Sequence, residues 1–305
     1  MERWKIEQAP TIRAEITVPG DKSISHRAAI LAALSNGTCV NCWGSGPIVP
    51  PGEKYVGPAG PFDPTIATLC VRAVGATDPM AVLTSYNSHP HLYELPYFSG
   101  ETAGACKRAV QSRLPGTMAM YAHGTGGNID LHCVHPIPPA GDTAAVQWFQ
   151  DSAAVLGRRF AEAVVPAVQK ARGYRRPTRF ANEFFSLGED GAGVRRVLIL
   201  STLVLGPIAF VSMPGELFVE YGLELQRRSP VKHLFLMGYN GSVGGYVPPP
   251  LAFEQGSYEV MRGPAPSSAE EITTTATKDK TVRASRETGA MIVGKILEML
   301  ARCAR

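Results

Sequence analysis

A chain of 305 residues, 45% of them hydrophobic, has room for one large domain or two small ones with real cores. A formal net charge of +4, with no Lys/Arg-rich block and no basic-aromatic stripe, excludes nucleic acid as the expected partner. The six cysteines are scattered and make no disulfide framework, and Cys39–Cys42 is a lone CxxC without the second pair that a zinc ribbon needs. The amino-terminal MERWKIEQAP is charged and has no apolar signal region. The most apolar run, 197–213, is broken by Gly206-Pro207 and too short to span a bilayer. A cytoplasmic protein without an integral membrane segment is expected.

In chain order, residues 12–18 alternate apolar and polar and predict a strand, ended by the turn residues Pro19-Gly20-Asp21. A helix is expected over 25–34, closed by Asn36-Gly37. From Gly44 to Pro64 glycine and proline dominate, which predicts a linker or extended loop. The expected division is therefore an amino-terminal piece (1–43), a linker (44–64) and a main domain (65–305). Within the main domain strands are predicted at 67–74, 80–85, 116–122, 197–205, 208–212 and 233–237. Helices are predicted at 102–112, 144–171 (with Pro166 interrupting or kinking it), 217–228 and 281–301. Strands alternating with helices argue for an α/β fold of mixed α+β layers.

The segment TVPGDKSISHRAAILAAL (17–34) runs a strand through a Pro-Gly turn into a helix start surrounded by Lys22, Ser23 and Arg27. Free N–H groups and the positive end of the helix dipole, beside an ammonium, a hydroxyl and a guanidinium, suit a phosphate or carboxylate. Residues 5–42 resemble the amino-terminal signature of EPSP synthase, the enolpyruvyl transferase that acts on shikimate-3-phosphate. The resemblance implies that Lys22 touches both substrates and that Ser23 and Arg27 hold shikimate-3-phosphate. That family's other motifs are not found downstream.

Four polar segments of the main domain fall at predicted strand ends, where α/β proteins build their sites. They are MAVLTSYNSHPHL, with His89 in a turn; MYAHGTGGNIDLH, a glycine loop; AFVSMPGELFVEYG, with Glu216 at an expected helix start; and FLMGYNGSVGGYVPP, with Tyr246. The glycine loop can turn N–H groups toward an oxyanion. His89, Glu216 and Tyr246 can share a zinc ion with one position left open. Each also has a plainer reading: a turn histidine, a carboxylate favoured by a helix N-terminus, and a partly buried aromatic with a bonded hydroxyl.

The succession NSHPH, GGNID, PGELFVEYG and GYNGSVGGYVPPPLAFEQGSYE resembles the neutral/alkaline ceramidase family, zinc-dependent amidases, over about 58–305. The resemblance implies zinc, an amide-type substrate of small-molecule or lipid-like character, His89 as the second zinc histidine and Glu216 as the zinc carboxylate. Tyr246 is then the zinc tyrosine, with Ser242 as the alternative occupant of that place. The ceramidases' Gly-Asp-x-Ser segment corresponds here to Gly127-Asn128-Ile129-Asp130, which makes Asn128 and Asp130 the candidate catalytic pair and leaves the serine out. The family's first zinc histidine would lie in the part that the EPSP-like segment occupies, and His123, His132 or His135 is a candidate substitute. His91 and His233 read as structural or solvent-facing. The alternatives to a hydrolase are a shikimate-3-phosphate-binding or enolpyruvyl-transferring fragment and a non-catalytic fusion.

Overall fold

The computed structural model describes residues 14–18, 39–41, 60–90, 99–131, 143–174, 178–189, 195–240, 245–255, 259 and 285–304. The helix expected over 25–34 and most of the expected linker lie outside these residues.

One sheet has the order β5-β4-β3-β1-β7. Its strands are β1 (Ala14–Val18), β3 (Ile66–Ala73), β4 (Ala81–Tyr86), β5 (Met118–His123) and β7 (Arg172–Tyr174). The strand expected at 12–18 is thus present and lies between β3 and β7, antiparallel to both. The second sheet, β12-β10-β9-β8, is made of β8 (Thr178–Glu189), β9 (Arg195–Leu205), β10 (Ile208–Ser212) and β12 (His233–Met237). Two short ladders complete the strands. β2 (Cys39–Asn41) pairs with β6 (Ile129–Leu131), and β11 (Glu216–Leu217) pairs in parallel with β13 (Tyr246–Val247).

Side-chain alternation along the strands shows how the layers stack. On β3 and β4, Ile66, Cys70, Val82 and Tyr86 pack toward α1 (Glu101–Arg113) and α2 (Thr143–Gln169), against Cys106, Val110, Phe160, Val164 and Val168. The alternate residues Ala67, Leu69, Val71 and Leu83 meet Leu205, Ile208, Phe210 and Phe235 of the other sheet. On that sheet Leu198, Leu200, Ala209, Val211, Leu234 and Leu236 face outward to Leu225 of α3 (Val219–Arg228) and to Ile292, Val293, Ile296 and Leu300 of α5 (Thr288–Ala304). The architecture is therefore helices, sheet, sheet, helices: the mixed α+β layers that the alternation predicts. Strands buried on both faces read as nearly unbroken apolar runs, which is why 197–205 and 208–212 are conspicuous in the sequence.

Two differences from the sequence expectations have physical causes. The helix expected at 217–228 begins at Val219, because Gly215 (φ +70°) turns the chain and Glu216-Leu217 join a ladder first. Glu216 is accordingly no helix N-terminal carboxylate; Glu220 fills that place in the first turn. The terminal helix begins at Thr288, where Ser285 N–H donates to Thr288 Oγ1 (2.8 Å) and Glu287 N–H to Ser285 Oγ (3.3 Å), a local cap. α2 runs past Pro166 to Gln169. The short helix α4 (Pro250–Gln255) has no counterpart in the sequence reading.

Candidate functional site

β4 and β5 run parallel in one sheet, and β10 and β12 run parallel in the other, so four carboxyl ends open at one edge of the sandwich. Two hydrogen bonds join the sheets there. Ser85 Oγ donates to the Leu236 carbonyl (2.6 Å), and Gly238 N–H donates to the His123 carbonyl (2.8 Å).

His89 follows β4 in the turn 87–90 and is 8% exposed. Its backbone N–H donates to the Ile129 carbonyl (2.8 Å), and its Nδ1 lies 3.2 Å from that same oxygen. A carbonyl only accepts, so Nδ1 carries the proton. That leaves Nε2 facing Glu216 Oε2 at 3.0 Å. In the neutral ring of this tautomer, Nε2 is a lone pair pointing at a carboxylate oxygen. Two acceptors at that distance repel unless positive charge lies between them, either as a second ring proton or as a cation. Glu216 is held by its ladder: its N–H donates to the Gly245 carbonyl (2.9 Å), and its register partner on β13 is Tyr246. The Tyr246 ring centroid is 6.2 Å from that of His89.

The fourth side chain of the group is His123, the last residue of β5. Its ring centroid is 5.7 Å from His89 and 4.7 Å from Tyr239. Both ring nitrogens are buried, and neither makes a hydrogen bond of proper geometry. Burial, and secondarily the charge of His89, push its pKa down from the usual 6.5 to about 4, against weaker support for the proton from Glu216 and from the Ser88 backbone. His123 is therefore neutral near pH 7, with a lone pair available. Tyr239, which holds the ring edge-on, has the left-handed φ of +57° unusual outside glycine.

The glycine loop 124–128 fills the space between the His89 and Glu216 turns. The N–H groups of Gly124, Thr125, Gly127 and Ile129 donate to the Tyr86 carbonyl, Asn87 Oδ1, the Leu217 carbonyl and the Gly126 carbonyl. These four donors are engaged within the fold, so the expected contribution of the loop to an oxyanion does not come from them; the loop works as a bracket. Asn128, 1% exposed, extends the bracket. Its Oδ1 accepts from Val219 N–H (2.9 Å) and its Nδ2 donates to Glu220 Oε2 (3.0 Å), so it caps the first turn of α3 from a distance. Asn128→Ala is expected to cost about 2 kcal/mol in a urea melt, because it leaves a buried helix N–H unpaired. Asp130 lies in β6 opposite Val40.

Sequence reasoning passed over a buried polar relay behind the site. Asn87 Oδ1 accepts from Thr125 N–H (2.7 Å), and Asn87 Nδ2 donates to Asp63 Oδ2 (2.6 Å), which also accepts from Gln226 Nε2 (2.7 Å). The available signal was an asparagine directly after a strand and two residues before His89. Lys22, Ser23, Arg27 and Ser242 lie outside the described residues, as do His91, His132 and His135.

Zinc can be tested against these donors. Among the described residues, no three His, Cys, Asp or Glu side chains converge as ligands of one ion. Two of the donors have the chemistry of ligands. Nδ1 of His89 is tied to a carbonyl, as metal-binding imidazoles usually are, which turns Nε2 toward Glu216. Nε2 and Glu216 Oε2 are 3.0 Å apart, close to the roughly 3.3 Å that separates two donors on one tetrahedral zinc. A phenol and a neutral, unpartnered imidazole stand beside them.

Residues 6–42 match the EPSP synthase (3-phosphoshikimate 1-carboxyvinyltransferase) family. Similar curated proteins include the 3-phosphoshikimate 1-carboxyvinyltransferase of Geotalea uraniireducens (strain Rf4), 48% identical over 42 residues, 14% of this chain and 10% of that protein. That of Petrotoga mobilis (strain DSM 10674 / SJ95) is 66% identical over 35 residues, 11% of this chain and 8% of that protein. The chain thus spans about a tenth of these relatives. Among solved structures, neutral ceramidase from Pseudomonas aeruginosa superposes with a TM-score of 0.59 at 12% identity, over 94% of this chain and 52% of that one. A structure titled ceramidase complexed with C2 gives 0.57 at 12% identity, over 94% and 53%. The chain spans about half the length of these structures. It has the fold of the neutral ceramidases, and its amino-terminal segment resembles EPSP synthase in sequence.

Proposed function

We propose that the chain is a zinc-dependent hydrolase of an amide-type bond in a small or lipid-like molecule. The observation that carries this reading is the His89–Glu216 pair. A tautomer-locked imidazole and a carboxylate, 10% and 14% exposed at their side chains, are held 3.0 Å apart where the strand ends of both sheets meet. His89 and Glu216 would hold the ion with Tyr246. Zinc, when bound, supplies a Lewis acid that polarises a carbonyl and makes water a stronger acid. The protein's own part is positioning. The Ile129 carbonyl fixes the His89 ring, the β11–β13 ladder fixes Glu216 beside Tyr246, and the glycine loop keeps the two turns at a set spacing. No described helix is long and apolar enough to cross a membrane.

The test is zinc content per chain, measured beside hydrolysis of a panel of N-acyl amines. Near one zinc per wild-type chain is expected. His89→Ala and Glu216→Gln should lose the metal and at least about a thousandfold in rate, the scale on which losing electrostatic support of an acyl-transfer transition state is felt. A wild-type protein that takes up no zinc at any pH, or a double variant that hydrolyses as well as wild type, overturns the reading.

The match over 6–42 supports a second reading, retention of shikimate-3-phosphate binding through Lys22, Ser23 and Arg27. Calorimetric titration that stays silent at millimolar ligand ends it.

A further inference from the structure

We propose that Asp63 is a positioning residue of the site: one buried carboxylate that ties the turn carrying His89 to the helix that follows Glu216. The inference rests on the hydrolase reading for what the His89–Glu216 pair does, and on the contacts of Asp63 for how the pair is held.

Asp63 stands just before β3 and is 4% exposed. A charge is costly to take out of water, so a carboxylate in this place needs its acceptor sites filled. Oδ1 accepts from Thr65 N–H (2.9 Å). Oδ2 accepts from two amides, Asn87 Nδ2 (2.6 Å) and Gln226 Nε2 (2.7 Å). An amide at position 63 cannot replace it. Its one oxygen serves either Thr65 or the two side-chain amides, and its nitrogen then faces a donor.

The two amides come from the two segments that meet at the site. Asn87 shares the turn 87–90 with His89. Gln226 lies in α3, the helix into which Glu216 and Leu217 lead. A single carboxylate oxygen therefore joins the segments from which the pair projects. Asn87 carries the tie onward, because its Oδ1 accepts from Thr125 N–H (2.7 Å) and Thr125 Oγ1 (3.2 Å). A Cβ on Gly124 would overlap that Asn87 oxygen, and one on Gly222 of α3 would overlap Thr125 Oγ1, so the relay closes only with glycine at both places. Thr125 runs directly into Gly126 and Gly127, which abut the backbone of Ser88 and Glu216. Both routes outward from Asp63, through Asn87 and through Gln226, end beside the pair.

His89 reports on the tie without substrate or metal. Its Nδ1 proton is buried and bonded to the Ile129 carbonyl, so it should exchange slowly with solvent. NMR of histidine-labelled, chelator-treated protein reads that exchange, and His89→Ala assigns the signal. Asp63→Asn should speed the exchange at least about tenfold beyond what its loss of stability in a urea melt accounts for. Adding Asn87→Asp should restore protection. The amide at 63 then donates to the carboxylate at 87, which still accepts from Thr125, and Gln226 turns its own amide to accept. Val168→Ala is the control. It opens a cavity at the far end of β3, where Arg72 Nη2 donates to the Val168 carbonyl (2.8 Å), and should change the exchange only in step with stability. On an N-acyl amine that wild type cleaves, Asp63→Asn should also lose about a hundredfold in kcat with KM little changed, and the double variant should recover it. Three results overturn the inference: free exchange in wild type, exchange in Asp63→Asn that only follows stability, or a double variant that fails to fold or leaves His89 unprotected. If Asp63→Asn does not fold, the double variant decides alone. Wild type without zinc or hydrolysis removes the hydrolase reading, while the exchange measurement, made without metal, still decides the tie.

Discussion

Gly127→Ala is expected to cost about 3 kcal/mol in urea denaturation and to disrupt the site together with the fold around it. A Cβ at 127 would overlap the Glu216 carbonyl oxygen and lie 2.9 Å from its carbon. Both are backbone atoms, so no side chain can swing aside. Relief requires the loop and the Glu216 turn to separate, which breaks the Gly127 N–H to Leu217 carbonyl bond (3.0 Å) and shifts the β11–β13 ladder that carries Glu216 and Tyr246. Overpacking alone costs about 1–3 kcal/mol, and an unmade buried hydrogen bond adds about 1–3 more. Gly126→Ala strikes the other wall: its Cβ would lie 2.5 Å from Ser88 N and 2.7 Å from Ser88 Cα, the backbone that leads into His89. Gly294→Ala is the control. It lies inside α5 with open space around it and should stabilise by about 0.5–1 kcal/mol. Equal, small effects at 127 and 294 would mean that the loop is not wedged between the two turns.

These glycines bear on what the sequence discloses. The spacing around GTGGN marks a glycine loop after a strand, but not what the glycines admit. Spacing suggests anion-binding N–H groups; the folded chain uses Gly126 and Gly127 to let Ser88 and Glu216 backbone approach, and directs the N–H groups of Gly124, Thr125 and Gly127 inward. The apolar strands β9, β10 and β12 are legible because burial on both faces leaves little room for polar residues. β8 is not, because Asn182, Glu183 and Gly188 blur its alternation, and its twelve residues hold as a strand through pairing with β9, around a bulge between Ser186 and Gly188. The ladders of two or three residues, β6, β11 and β13, are too short to leave a period, yet one of them sets the orientation of Glu216. His89, Glu216 and Tyr246 are each visible as polar residues at strand ends. That they meet follows from two sheets packing with their carboxyl ends at one edge, a consequence of topology that no local pattern carries. Asp63 and Asn87 stay hidden for the same reason, since their partner Gln226 is remote in sequence and supplied only by the fold.

The neutrality of His123 has a thermodynamic consequence. In the metal-free folded chain its pKa lies near 4, lowered first by burial, against 6.5 for an unhindered imidazole. Between those values the unfolded chain binds the proton and the folded chain does not, so stability rises with pH across this window. Protonating His123 means placing a cation in a buried pocket next to His89, with only Glu216 and the Ser88 backbone in partial compensation. The contribution is therefore complete above pH 6.5 and lost as pH falls through 6.5 toward 4, and it amounts to roughly 3 kcal/mol at about 1.4 kcal/mol per pH unit. Carboxylates elsewhere titrate in the same range, so the quantity to measure is the difference between wild type and His123→Gln in urea melts with a chelator present, from pH 7.5 to 4. That difference should be flat above about pH 7 and shift by roughly 3 kcal/mol against wild type on the way down. Parallel curves would show that the folded ring takes up its proton as readily as the unfolded one, and that burial does not hold it neutral.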